Sequence, residues 1–371
     1  MTQHMHTTHK KYLAIGLMSG SSLDGVDAAL TRTDGEAHNE PLAVHSVPYP
    51  SDFKQQLMDM AKGDIPLSDV IRLERKLTQY HVDAVKELLD KPEAKDAGQP
   101  DIIGFHGQTI RHMPKEGLTW QIGDASYLAE HTGLPVVADF RRRDMAAGGE
   151  GAPLIPLFHK ILFSKLGDDD KGMAVLNIGG VSNLTYTDKN GNITSGDIGP
   201  GCSLMDQWAK HQTDKEFDED GMLAKTGTVN KIWLDQAIEN EPFFHEPFPK
   251  SADRYQFDHL FPQNLSAADG MATLCELTAK TIADCFNKLC PPEEQPTLWV
   301  AGGGAANQAL MTAMKKYVKE VKPIGELGLN AGLLEAECFA WLAVRRLRGL
   351  ATSLPETTGA KHPTTGGVLT V

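Results

Sequence analysis

Cysteine is scarce and never clustered. Cys202, Cys275, Cys285, Cys290 and Cys338 include no Cys-x-x-Cys pair, and an odd number fits poorly with a secreted disulfide framework. Free thiols in a reducing cytosol are the expectation. Long apolar runs are missing too: none approaches the roughly 20 residues that span a bilayer, and the leader MTQHMHTTHKK has no apolar stretch of the signal-peptide kind. A cytoplasmic protein without a membrane partner is expected. Positive charge is in deficit, with 36 Lys and Arg against 49 Asp and Glu and a net charge of −13. That excludes a general affinity for nucleic acid or an anionic membrane. An anionic ligand must be met by a local cluster of donors, so the expected partners are small molecules. His4, His6 and His9 fall in a leader expected to be disordered.

What is present is ordinary globular material, 41% hydrophobic over 371 residues and enough for two cores. Tyr12 to Leu17 and Val26 to Leu30 read as strands joined by a Gly/Ser turn, and PLAVHSVPY as a third. Helical spacing follows over Asp52–Ala61 and Leu67–Leu89, the latter with Ser68 as an N-cap candidate. DIIGFHG, LTWQIG and LPVVAD read as further short strands. The grammar then restarts: MAVLNIGGVSNLTYTD is again strand, Gly-rich turn and strand, and Asn190-Gly191-Asn192 turns into ITSGDIG. A helix is expected from Ser203 to Gln212, irregular chain from Glu241 to Asn264, and a long helix from Ser266 to Leu289. TLWVAGGGAANQAL is a strand running through three glycines into a helix, and Leu333–Leu350 a final helix before a tail with a last strand. Strands alternating with helices indicate an α/β fold, with a second domain starting near Asp144.

The first turn, Gly20 to Asp27, reads either as a polar hairpin loop or as a phosphate cradle. In the second reading glycines admit an oxyanion to backbone N–H groups, and Asp24 and Asp27 hold a hydrated Mg²⁺. The order of the three Gly-rich turns favours the cradle. Turns near residues 20 and 180 and a strand–GGG–helix near 302 reproduce the phosphate-one, phosphate-two and adenosine layout of the actin-like ATPase (ribonuclease H-like) fold. That layout has two α/β domains with nucleotide and substrate in the cleft between them. Residues 1–143, with the tail 351–371 packing back, and residues 144–350 are the expected domains.

GLMSGSSLDGVD, GFHGQTIRH, VVADFRRRDMAAGGEGAPLIP, LNIGGVSNLT, DIGPGCSLMD and EAECFAWLA together resemble the anhydro-N-acetylmuramic acid kinase family, in order and over nearly the whole chain. The resemblance implies an ATP- and Mg²⁺-dependent enzyme that opens 1,6-anhydro-N-acetylmuramic acid with water and yields N-acetylmuramic acid 6-phosphate in peptidoglycan recycling. It also implies a homodimer. By the resemblance Gly20, Ser21, Ser22, Leu23, Asp24, Gly25, Val26 and Asp27 form the ATP-phosphate loop, and Asp197 is the catalytic base. Asn177, Gly179, Gly180, Ser182, Asn183, Gly302, Gly303 and Gly304 complete the nucleotide site. His106, Gln108, Thr109, Arg143 and Glu335 fall where the family meets its sugar. The chain departs from the family at Ser21, at Ile198 and Cys202 beside Asp197, and at PKSADRY, to which no role is assigned.

Each of these residues has a plainer reading. Asp197 is also a turn aspartate bonding its own backbone, His106 a core histidine, Glu335 a solvated helix face, and Arg141 to Arg143 a basic loop. The chemistry suits a carboxylate, because water attacking C1 needs a general base. A guanidinium fork suits the lactyl carboxylate, and Arg143 is the arginine favoured. Two competing functions use the same turns: a kinase for an ordinary sugar with a free hydroxyl, and a nucleotide-switched binding protein of the chaperone or filament kind.

Overall fold

The computed structural model describes residues 10–371 except 21, 22, 64, 164–170, 254 and 331, so His4, His6, His9, Ser21 and Ser22 lie outside the described residues. β1 (Tyr12–Ser19), β2 (Gly25–Thr33) and β3 (Asn39–Pro48) make an antiparallel meander. β4 (Ile102–Met113) pairs in parallel with β1 on its other side, β5 (Leu118–Ile122) folds back on β4, and β6 (Val136–Ala138) extends the sheet in parallel. The second sheet repeats the plan. β7 (Met173–Ile178), β8 (Val181–Thr187) and β9 (Ile193–Pro200) form the meander, and β10 (Leu298–Ala301) and β11 (Val321–Pro323) add in parallel beyond β7. Both sheets thus run meander strands three, two and one, followed by two parallel strands. This shared order is that of the actin-like ATPase fold.

The last segments cross back. β12 (Val368–Thr370) pairs antiparallel with β6, and the helix Leu334–Leu347 packs on β1, β2 and β4. Residues 144–350 therefore do not all sit on the second sheet. The reason is local: Gly16 and Gly104 are register partners, and a Cβ on them would lie 1.8 Å from the Ala336 carbonyl and 2.0 Å from that of Phe339. Two strand glycines let the helix backbone lie directly on the sheet.

Three apolar cores result. One joins the first sheet to the helices Ser51–Lys62 and Leu67–Asp90 through Phe53, Leu77, Val85 and Ile103. Another packs the helix Ala267–Leu289 on the second sheet through Leu176, Leu274, Phe286 and Leu298. The third is shared, with Ala14 and Val137 of the first sheet, Val175 and Ala301 of the second, and Trp341 of the crossing helix. At about 2 kcal/mol for each large side chain buried, this seam binds the sheets to one another.

Sequence and structure differ in places. The helix Leu67–Asp90 starts behind Pro66 with no side-chain cap, so Ser68 lies inside it, since Pro66 already fixes the extended entry. The helix Lys231–Asn240, capped by Asn230 accepting from Trp233 N at 3.1 Å, falls outside the expected elements. Among its described residues Glu241–Asn264 is irregular apart from short 3₁₀ turns at Pro242–His245 and Asp258–Leu260. Among the described residues no helix is long and apolar enough to cross a membrane.

Candidate active site

A cleft of about 1490 Å³ opens between the sheets and is lined by both Gly-rich hairpins and the GGG turn. At the first hairpin Leu23 N donates to Gly20 O at 3.1 Å, and Leu23 takes a positive φ of 58°. Leu23 and Val26 bury their side chains in the core, so only their backbone is offered to a ligand. Gly25 lets the hairpin lie against β3, where a Cβ would stand 2.3 Å from Val47 O. Asp24 is exposed and paired with Lys54 at 2.9 Å, while Asp27 accepts from Ser46 Oγ at 2.6 Å. Burial, then repulsion from Asp24, raises the pKa of Asp27 against the pull of Ser46.

Among the described residues no three His, Cys, Asp or Glu side chains form a metal cage. Hydrated Mg²⁺ needs only one or two carboxylates, its other positions going to water and phosphate oxygens. Asp27, partly desolvated and repelled by Asp24 and Glu335, suits such a cation.

The second hairpin is backed by the entry of the helix Ser203–Thr213. Cys202 N donates to Gly179 O at 2.8 Å, and Gly201 N and Ser203 N donate to Gly180 O at 2.9 and 3.2 Å. Asn177, Gly179, Gly180 and Asn183 line the cleft, whereas Ser182 is buried and donates to Pro200 O at 3.1 Å. The GGG turn divides its labour. A Cβ on Gly302 would meet Asn177 Oδ1 at 2.5 Å and on Gly304 the Ile178 side chain at 2.4 Å, but on Gly303 it would meet nothing. Gly302 and Gly304 thus pack the turn on β7, and Gly303 presents open backbone. A 3₁₀ turn, Gly303–Ala306, separates the strand from the expected helix.

Asp197 lies on β9 opposite Asn183 and is buried in the cleft. Its N–H donates to Lys250 O at 2.8 Å, and its Oδ2 accepts from Ala252 N at 2.8 Å and Ser251 Oγ at 3.2 Å. It is therefore not a turn aspartate bonding its own loop. Burial raises its pKa to about 6, against the pull of those two hydrogen bonds and of Arg141 and Lys250.

The sugar residues inferred by resemblance separate. His106 is buried with Nδ1 2.8 Å from Gly107 O, and its Nε2 accepts from Arg141. Both ring nitrogens are used within the protein, so His106 orients Arg141 rather than offering a nitrogen to a sugar. Gln108 is equally committed: Oε1 accepts from Ser19 Oγ at 2.5 Å, and Nε2 donates to Gly20 O and Thr109 O, each at 3.2 Å. It braces the first hairpin. Thr109 lines the cleft and accepts from Gln121 at 3.2 Å. Glu335 also lines the cleft, accepts from Asn177 Nδ2 at 3.3 Å, and has its pKa raised by burial against the attraction of Arg141.

Arg143 is displaced from its expected place. On the short helix Arg142–Ala146 it is exposed and outside the cleft, because Asp144 and Met145 take the inward face. Arg141 takes the inner position, with Nη1 donating to Gly151 O at 2.8 Å and the charges of Glu335 and Asp197 around it. Three arginines in a row carry no sequence signal that separates them. No sequence signal marks Ser251 or His112 either, though both line the cleft.

Residues 12–371 match a family model described as anhydro-N-acetylmuramic acid kinase. A curated protein of that name from Rhizorhabdus wittichii is 44% identical over 366 residues, covering 96% of this chain and 98% of that one. Its counterpart in Acidiphilium cryptum is 44% identical over 95% of this chain and 97% of its own. That of Zymomonas mobilis is 43% identical over 96% of this chain and 98% of its own. The similarity extends through both sheets and all three turns of the cleft, and the chain belongs to the anhydro-N-acetylmuramic acid kinase family.

Proposed function

We infer that this protein uses ATP and water to convert 1,6-anhydro-N-acetylmuramic acid into N-acetylmuramic acid 6-phosphate, a step in peptidoglycan recycling. The observation that carries the reading is the buried Asp197 carboxylate in a cleft flanked by two glycine hairpins, with a pKa raised to about 6 by burial. Such a group is ionised at neutral pH yet close enough to titration to take a proton well.

Asp197 takes a proton from the attacking water as the water oxygen bonds to C1 and the C1–O6 bond breaks. The freed O6 bonds to the γ-phosphorus, whose bond to the bridging oxygen of ADP breaks. Transfer of this kind needs alignment and charge neutralisation rather than covalent help. Backbone N–H groups of the two hairpins and Gly303 position the nucleotide. Asp27 and Asp24 would hold Mg²⁺, which would supply charge neutralisation at the phosphates. Arg141 has N–H groups beyond those given to His106 and Gly151, and it meets the lactyl carboxylate in the role expected of Arg143. Glu335 and Thr109 face the sugar from the first sheet's side. The protein works in the cytoplasm as a homodimer without nucleic-acid or membrane partners.

Turnover in ¹⁸O-water tests the reading. Label is expected on the C1 hydroxyl and none in the phosphoryl group, in product trapped early against a no-enzyme exchange control. Asp197→Asn should stop ring opening and phosphorylation together while nucleotide and sugar still bind. Label in the phosphoryl group, or a coupled Asp197→Asn enzyme, would overturn it.

A further inference from the structure

The segment Lys250–Ala252 holds the base, and it does not act alone. We propose that Ser251 and His112 are positioning residues for Asp197, forming a hydrogen-bond chain that begins on the first sheet at Thr119 and fixes both the orientation of the carboxylate and its readiness to accept a proton. The proposal rests on the reading of Asp197 as the base.

The direction of each bond follows from what each group can donate. Ionised Asp197 has no proton to give, so at 3.2 Å the Ser251 hydroxyl hydrogen points to Oδ2. The Ser251 oxygen then accepts from His112 Nε2 at 3.0 Å. That puts the ring hydrogen on Nε2 and leaves Nδ1 as an acceptor 3.0 Å from Thr119 Oγ1, whose one hydrogen it shares with Arg111 O at 3.3 Å. His112 and Thr119 are cross-strand partners of β4 and β5, so the ring is fixed by the sheet register itself. Both His112 and Ser251 are buried.

The surroundings keep the chain in this one state. Burial, and then the Arg141 charge, push the His112 pKa down to about 3 against the pull of the Glu150 backbone, so the ring stays neutral at working pH. Around Asp197 the charged groups are Arg141 and Lys250, with the Ala252 amide as the second donor. Asp197 belongs to the second sheet and His112 to the first, so the base is held from both sides of the cleft. Among the described residues Ser251 is the hydrogen-bonded link between them, and His112 reaches Asp197 through it.

The test titrates Asp197 directly, by ¹³C NMR of carboxyl-labelled aspartate, with the resonance assigned by its loss in Asp197→Asn. Ser251→Ala should raise the Asp197 midpoint by roughly half a pH unit or more, since a donor to the charged form is lost. His112→Leu should raise it by less, and the double variant should match Ser251→Ala alone, because contacts in series are not additive. Ser251→Thr, which keeps the hydroxyl, should restore the midpoint and the acid limb of kcat. An unmoved midpoint in folded Ser251→Ala, or a His112→Leu shift that adds in full to it, would overturn the chain. An active Asp197→Asn enzyme would overturn the base assignment, and with it the catalytic sense of the chain, whatever the midpoints do. The two failures are therefore distinguishable.

Discussion

The Arg141 guanidinium donates to His106 Nε2 from Nε at 3.1 Å and from Nη2 at 2.9 Å, so the imidazole must carry its hydrogen on Nδ1, towards Gly107 O. Burial, and then the Arg141 charge, hold the His106 pKa well below its ordinary value, which keeps the ring a neutral acceptor. A half-buried cation is thereby aimed into the cleft by a histidine that never competes with it for charge.

Arg141→Ala should lower kcat/KM for the anhydro sugar by about 100-fold or more, the scale of a lost charge-assisted fork. Arg143→Ala, on the exposed face, should stay within about twofold of the parent. Steady-state kinetics on the two variants decide between the arginines, and the reverse ranking would return the role to Arg143.

Asp197 has its pKa raised from 3.8 to about 6. The folded state therefore holds a proton that the unfolded chain releases, and stability falls as pH rises through that window, with the cost complete above it. Asp197→Asn removes the charge while keeping an oxygen that accepts from Ala252 and Ser251. It should be more stable than the parent at pH 7.5 by at most about 3 kcal/mol, with the gain gone near pH 4. Urea denaturation at both pH values checks the sign, and parent activity should fall on acidification below about pH 6 as the base protonates.

Gly104→Ala should destabilise the fold by about 3 kcal/mol or more, because the new methyl meets helix backbone rather than a side chain that can swing away. The same helix carries Glu335, so activity should fall in the fraction that remains folded. A denaturation midpoint unchanged from the parent would contradict the close approach of helix and sheet.

Gly302→Ala and Gly303→Ala should part company. Gly302 has a φ of 78° and no room for a Cβ, so its substitution should lower stability, by about 1–3 kcal/mol. Gly303→Ala meets no protein atom and should leave stability unchanged while raising KM for ATP. Thermal melts with ATP titrations measure both, and a Gly303→Ala protein with normal ATP affinity would remove that residue from the nucleotide site.

Much of this was legible in the chain. The apolar runs around Val175 and Ile15 announced strands, and the glycines beside them announced turns, because a short run buried on both faces and turn chemistry are local properties. Asp197 was marked by the family resemblance rather than by a local pattern, and it lies within β9, which runs on to Pro200. What stayed hidden depended on distant packing. Arg141 differs from Arg143 only because Asp144 and Met145 are drawn inward from the same helix. Ser251 lies in irregular chain, and its meaning comes from a histidine 139 positions away. The helix Lys231–Asn240 carries a weak sequence signal because Ile232 is exposed while Leu234 and Ala237 are buried, which blurs its apolar stripe.

The apolar seam shared by the two sheets behaves as the spine of a book. Val175, Ala301 and Val137 are glued along it beneath Trp341, so any parting of the covers is smallest there and grows towards the outer edge. At that edge Lys54 and Asp24, of the first sheet's side, act on Glu216, carried beyond the second sheet's helix Ser203–Thr213. Ligand entry is then expected to work the mouth, where the Lys54–Asp24 pair is exposed. The spine limits how far one page can slide over the other, and so preserves the alignment that in-line transfer between two bound molecules requires.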